Sequence, residues 1–258
     1  MKKNKKKSHK GLIITLTSIV VVIAVAVSAF FIYVSNYYHA EDECAEYLED
    51  STLVDVEKND NYIMFKPKID LLNIGYVFYP GGKVEYTSYA PMLNELAKTG
   101  ITTFLVKMPF NLAVLDSDAA NDIQSKYTSI STWFVGGHSL GGAMASSYVS
   151  SNVDKYTGLI LLGAYSTKDL SSANLYCLSI TATEDKIMNW DKYNDHKKNL
   201  PTDKTTDYSI EGGNHSNFGD YGHQNGDGEA TISNAEQRSQ INAATFTFIG
   251  IASISSKI

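Results

Sequence analysis

The sequence predicts an α/β fold: a mostly parallel sheet of about seven or eight strands with helices on both faces, preceded by one N-terminal transmembrane helix. Three observations predict it. From residue 74 onward, short apolar runs alternate with helical patterns, as parallel strands joined by crossover helices require. An apolar run at 132–135 leads through Gly137-His138-Ser139-Leu140-Gly141 into a small-residue stretch at 142–149, which reads as strand, sharp turn and helix. Residues 12–34 form a run of 23 residues without a charge, long enough to cross a bilayer.

At the N-terminus, Lys2, Lys3, Lys5, Lys6, Lys7 and Lys10 make a basic tail over residues 1–11. Lysines so placed stay on the cytoplasmic side, which puts everything after residue 34 outside. Ala26-Val27-Ser28 fits a signal-peptide cleavage site, but Phe30, Phe31, Ile32, Tyr33 and Val34 carry the apolar run past it. An uncleaved signal anchor over 12–34 is therefore favoured over a cleaved signal peptide. Tyr33, Tyr37 and Tyr38 fit an aromatic belt at the far interface. Residues 35–51, rich in Glu and Asp, read as a short stalk, and 52–258 as the globular domain.

In that domain, 53–57 and 62–65 are strand-like, and Lys58-Asn59-Asp60-Asn61 supplies the turn of a hairpin. A strand follows at 74–79, a helix at 89–98 stopped by Gly100, a strand at 102–106 and a modest helix at 117–127. After the strand–turn–helix at 132–149 come strands at 159–162 and 175–182. A helix at 189–199 closed by Pro201, a short strand at 208–210 and a final helix at 233–249 complete the pattern.

The formal charge of the 258 residues is -6, and without the six N-terminal lysines the remainder carries -12. Such a domain repels nucleic acid, and no basic patch appears beyond the N-terminus. Cys44 and Cys177 are the only cysteines; they read as one stray thiol after the anchor and one inert buried thiol in a strand. No metal-type cysteine spacing occurs, and no cofactor is expected. Asn225-Gly226-Asp227-Gly228-Glu229 alternates carboxylates as calcium loops do, but it has too few ligands and no framing helices, so it reads as a turn.

Ser139 is the candidate nucleophile. The turn strains its backbone so that the hydroxyl projects clear of the sheet, and the flanking glycines avoid collisions with neighbouring chain. A serine needs a base, and His215, in a glycine-rich loop after the last short strand, is the best placed. His223, in a later loop, ranks second. His138 adjoins the serine and is expected to point away from it. Asp116 and Asp118 read as helix-capping groups.

This arrangement resembles the α/β-hydrolase superfamily over roughly residues 53–254, and most nearly its compact bacterial members close to the dienelactone-hydrolase branch. The resemblance is carried by Tyr79-Pro80-Gly81-Gly82-Lys83-Val84-Glu85, Gly136-Gly137-His138-Ser139-Leu140-Gly141-Gly142, Ala182-Thr183-Glu184-Asp185-Lys186-Ile187 and Gly212-Gly213-Asn214-His215. It implies an α/β-hydrolase fold and a catalytic triad in the chain order serine, acid, histidine, which the sequence supplies as Ser139, Asp185 and His215. Glu184, beside Asp185, is the alternative acid. Backbone N–H groups of Leu140 and Gly82 are the expected oxyanion donors. The dienelactone hydrolases themselves use a cysteine nucleophile, where this chain has a serine.

The implied activity is a membrane-anchored, extracytoplasmic serine hydrolase that cleaves a carboxylic ester or related acyl bond. Its substrate is a small molecule or an acyl group presented at a surface. Many members of the superfamily carry a cap after the strand that follows the nucleophile helix; here only residues 163–174 stand there, so the site should be open, with Tyr86 and Tyr89 as candidate lining residues. Acyl transfer to a sugar or lipid through the same triad, and an inactive hydrolase fold used as a binding module, are the alternatives.

Overall fold

The computed structural model describes residues 9–69 and 72–256. The lysine tail expected over 1–11 lies outside the described residues, apart from the start of the first helix. The chain divides into two units between Tyr37 and Tyr38. The first unit contains helix α1 (His9–Ser35), whose stretch Gly11–Ser35 is long and apolar enough to cross a membrane.

The second unit is built on one eight-stranded sheet. β1 (Val54–Lys58) and β2 (Tyr62–Pro67) form the expected hairpin, closed by Asn59 N–H donating to Tyr62 O at 2.9 Å. Then come β3 (Ile74–Tyr79), β4 (Thr102–Val106), β5 (Thr132–His138), β6 (Gly158–Leu162), β7 (Tyr176–Ala182) and β8 (Thr205–Ile210). Their spatial order is β1-β2-β4-β3-β5-β6-β7-β8, with β2 antiparallel to β4 and β3 through β8 all parallel. β3, β4, β5 and β6 are buried along their whole length, because helices cover both faces; this is why they read as continuous apolar runs rather than alternations.

On one face, α2 (Ala90–Ala97) and α6 (Asn234–Ser255) pack Leu93, Leu96, Phe248 and Ile249 against Phe78, Phe134 and Ile160. On the other, α3 (Ala119–Lys126) and α4 (Leu140–Val149) pack Ile123, Ala145 and Val149 against Val77, Val135 and Leu161. α5 (Trp190–His196) follows β7, and its first turn is capped by Asn189, whose side chain accepts from Lys192 N–H at 2.9 Å. Ser233 caps α6 in the same way. Asp118 stands at the N-cap of α3 as expected, but its side chain makes no capping bond.

Three expectations change. The segment read as a stalk over 35–51 is bonded into the second unit from Tyr38 onward. Tyr38 N–H donates to Lys83 O and Tyr38 O accepts from Glu85 N–H, both at 2.8 Å, and Glu41 N–H donates to Asp220 O at 2.9 Å. A 3₁₀ turn, Asp42–Leu48, continues onto α2, where Asn94 donates to Tyr47 O. Acidic composition marks a wet outer face but does not reveal backbone bonding on the inner one. Cys44 is accordingly no stray thiol: it is as buried as Cys177, and burial, assisted by nearby Asp220 and Glu41, pushes its pKa up to about 12. Last, β8 begins at Thr205, before the strand expected at 208–210, because an exposed edge strand can be polar.

Candidate active site

All the predicted site residues lie where strands β3, β5, β7 and β8 end, at the carboxyl edge of the parallel sheet, where ligands bind in open α/β folds. Ser139 links β5 to α4 with φ 51° and ψ -121°, a conformation that L-residues rarely hold without support. The support is steric. A β-carbon on Gly141 would strike the backbone oxygens of Tyr79 and Pro80, so only glycine lets α4 close this tightly on the end of β3. Ser139 N–H donates to Leu162 O at 3.0 Å, which ties the turn to the end of β6. The serine is partly exposed, and its hydroxyl makes no hydrogen bond with a described residue.

Asp185 and His215 leave β7 and β8 on separate loops and meet. His215 Nδ1 lies 2.7 Å from Asp185 Oδ2, and both side chains are shut away from solvent, 2% and 0% exposed. The other carboxylate oxygen, Oδ1, accepts from Ile187 N–H at 2.9 Å and Met188 N–H at 2.8 Å. A carboxylate so placed accepts a hydrogen bond from Nδ1–H and leaves Nε2 as the basic nitrogen. Gly163, directly after β6, has φ +51°, and a β-carbon there would lie 3.1 Å from His215 Nδ1 and 3.3 Å from Asp185 Oδ2. The end of β6 is thus common ground: Leu162 holds the serine turn and Gly163 makes room for the acid–histidine pair. Glu184, the alternative acid, does not pair with His215, and its N–H donates to Gly213 O. His223, the alternative base, stands 45% exposed beside Glu229.

The two expected oxyanion donors are neighbours. A β-carbon on Gly82 would fall 2.7 Å from Leu140 Cδ2. Gly81 N–H donates to Tyr89 Oη at 3.1 Å and Lys83 N–H to Asn111 O at 2.8 Å, whereas Gly82 N–H has no partner among the described residues. Leu140 opens α4, so its N–H is one that a helix leaves unpaired at its positive end.

Residues 75–239 match the sequence model of a family described as the alpha/beta hydrolase family. The chain belongs to that family. No curated protein matches it. Its fold is similar to that of a predicted CIB-like hydrolase from Thermoplasma acidophilum, at TM-score 0.57 and 11% identity over 76% of this chain and 99% of that one. It is also similar to Est1E from Butyrivibrio proteoclasticus, at TM-score 0.53 and 12% identity over 77% and 100%. An esterase from Pyrobaculum calidifontis gives TM-score 0.58 and 16% identity over 81% and 89%.

In this candidate site, the packing of His138 against the histidine loop is what the sequence does not foretell. Its ring lies 4.4 Å from that of His215 and 5.2 Å from that of Phe218. Its Nδ1 is 2.8 Å from Tyr89 Oη, and its Nε2 is buried without a hydrogen-bond partner. Burial, and then the neighbouring His215, hold its pKa well below the ordinary imidazole value, so the ring stays neutral. Tyr89 is fully buried beneath the site, joining Gly81 to His138, and does not line the opening; Tyr86 is only partly buried. The alternation of β5 turns His138 away from Ser139's side, but ring packing against a loop that arrives from β8 has no local sequence signal.

Proposed function

We propose that this chain is a serine hydrolase of carboxylic esters or related acyl bonds, anchored in the membrane by α1 with its second unit outside the cell. The observation that carries the catalytic reading is the buried 2.7 Å pair of His215 and Asp185, set at the end of β6 beside a serine held at positive φ. In this reading Ser139 Oγ attacks the acyl carbon while His215 Nε2 takes its proton, and Asp185 stabilises the imidazolium. The N–H groups of Gly82 and Leu140 receive the charge that develops on the carbonyl oxygen. The tetrahedral intermediate collapses as His215 returns the proton to the leaving alcohol, and water then frees the acyl group from Ser139 by the same steps in reverse. A base often closes on its nucleophile only with substrate present, which suits the unbonded serine hydroxyl.

The esterase activity named for the Pyrobaculum calidifontis relative supports this class of bond. The short connection between β6 and β7 leaves no room for a large lid, which favours small or surface-presented acyl substrates. The basic tail ahead of α1 favours an outward-facing second unit. A membrane-impermeant fluorophosphonate probe on intact cells tests bond class and location together. Wild type should label and Ser139→Ala should not. Equal labelling of both overturns the mechanism, and labelling of wild type only after lysis overturns the location.

A further inference from the structure

Asp185 and His215 are 30 positions apart, one on the loop between β7 and α5 and the other on the loop between β8 and α6, yet they hold a 2.7 Å bond. The bases of the loops are in register through the sheet: Thr183 N–H donates to Ile210 O at 3.0 Å and Glu184 N–H to Gly213 O at 2.8 Å. Nearer the catalytic pair the backbones no longer bond each other, and one side chain spans the gap. Asp227 Oδ1 accepts from Lys186 N–H at 3.1 Å, and its Oδ2 accepts from Ser216 N–H at 2.7 Å and Ser216 Oγ at 2.6 Å. Lys186 is the residue after Asp185, and Ser216 is the residue after His215.

We infer that Asp227 is a positioning residue of this site, fixing the acid loop and the histidine loop to each other so that Asp185 and His215 meet. The inference rests on the reading of those two residues as acid and base.

Four donors converge on the one carboxylate, since Gly228 N–H also donates to Oδ1 at 2.8 Å. Burial opposes its ionisation, but the bonds from Ser216, Lys186 and Gly228 prevail and hold the carboxyl below the usual carboxylate range. Asp227 is itself secured: Ser216 Oγ accepts from Gln224 N–H at 2.9 Å, and Asp227 N–H donates to Gln224 O at 3.0 Å. An asparagine has the same shape but cannot serve, because its NH₂ would face the Ser216 N–H or the Lys186 N–H. Asp227 touches neither Ser139 nor the pair in these bonds, so its effect runs through loop placement alone.

The test uses the full chain in detergent, with p-nitrophenyl butyrate as substrate and the far-downfield proton resonance of the His215–Asp185 bond as a second readout. Asp227→Asn should lower kcat about 10- to 100-fold and leave KM within about twofold. The resonance should broaden or vanish, which a loss of overall stability alone does not cause while the protein remains folded. Ser216→Ala, which removes one of the four bonds, should lower kcat about tenfold and keeps the test open if Asp227→Asn does not fold. A folded Asp227→Asn protein with unchanged kcat and resonance overturns the inference, as does unchanged kcat and resonance in Ser216→Ala. If wild type cleaves no ester and takes no fluorophosphonate, the hydrolase reading fails on its own, and the resonance in wild type against Asp227→Asn still decides the role of Asp227.

Discussion

Where Ser139 leaves β5, main chain presses on main chain: Gly141 lies against the carbonyls of Tyr79 and Pro80, and the serine N–H is bonded to Leu162. Where Asp185 and His215 leave β7 and β8, the loops stand apart and side chains bridge them. Asp227 joins Lys186 to Ser216, and buried Gln237 grips Asn214 by both backbone groups, accepting from its N–H at 3.0 Å and donating to its carbonyl at 2.9 Å. The first region is held because it has no space, and the second because side-chain hydrogen bonds tie its loops together. A single methyl should break the one, and a lost acceptor the other.

The largest effect should come from Gly141→Ala. The added methyl meets two backbone oxygens that cannot rotate away, and the cost is about 3 kcal/mol or more. Urea unfolding measures it, and an unchanged midpoint would mean that α4 does not press on the end of β3. Gln237→Leu should cost about 2 kcal/mol, because it leaves the N–H and carbonyl of Asn214 buried and unpaired. A loss below about 0.5 kcal/mol would show that side-chain bonding does not hold the histidine loop. The smallest effect sharpens the boundary between the regions, where His138 from β5 lies under His215. Its folded pKa is depressed, so the unfolded chain binds a proton that the native ring refuses. The stability this contributes is complete above the unfolded value near 6.5 and drains away as pH falls below it, by up to about 1.4 kcal/mol per pH unit. His138→Phe should remove that acid slope, and identical slopes in variant and wild type would show that the ring is not held neutral.

The same contrast explains what could be read from the sequence. The serine turn was legible because sterics demand glycine at fixed offsets from Ser139, and Gly82, the glycine expected as second donor, could be singled out because its loop follows a strand directly. Asp185 and His215 could be placed by chain order and strand ends. Asp227 could not: its partners are 11 and 41 positions away, and alternation with Gly226 and Gly228 gives it the look of any turn. His138 was visible, but its stacking on His215 depends on how a distant loop returns. The Tyr38–Leu48 stretch was hidden for a third reason, since its ties to Lys83, Glu85 and Asp220 are made by backbone, which any composition supplies.

That last stretch bears on where the chain can be cut without loosening the second unit. A protease that cuts between Ser35 and Tyr37 would release a fragment whose first ordered residue still clasps the turn bearing Gly82. A cut after Leu48 would instead strip Lys83 and Glu85 of their Tyr38 partners, take away the main-chain donor on Asp220 and remove the thiol of Cys44 from its pocket. A cut that spares these ties is therefore placed ahead of Tyr38, within a few peptide bonds of the end of α1.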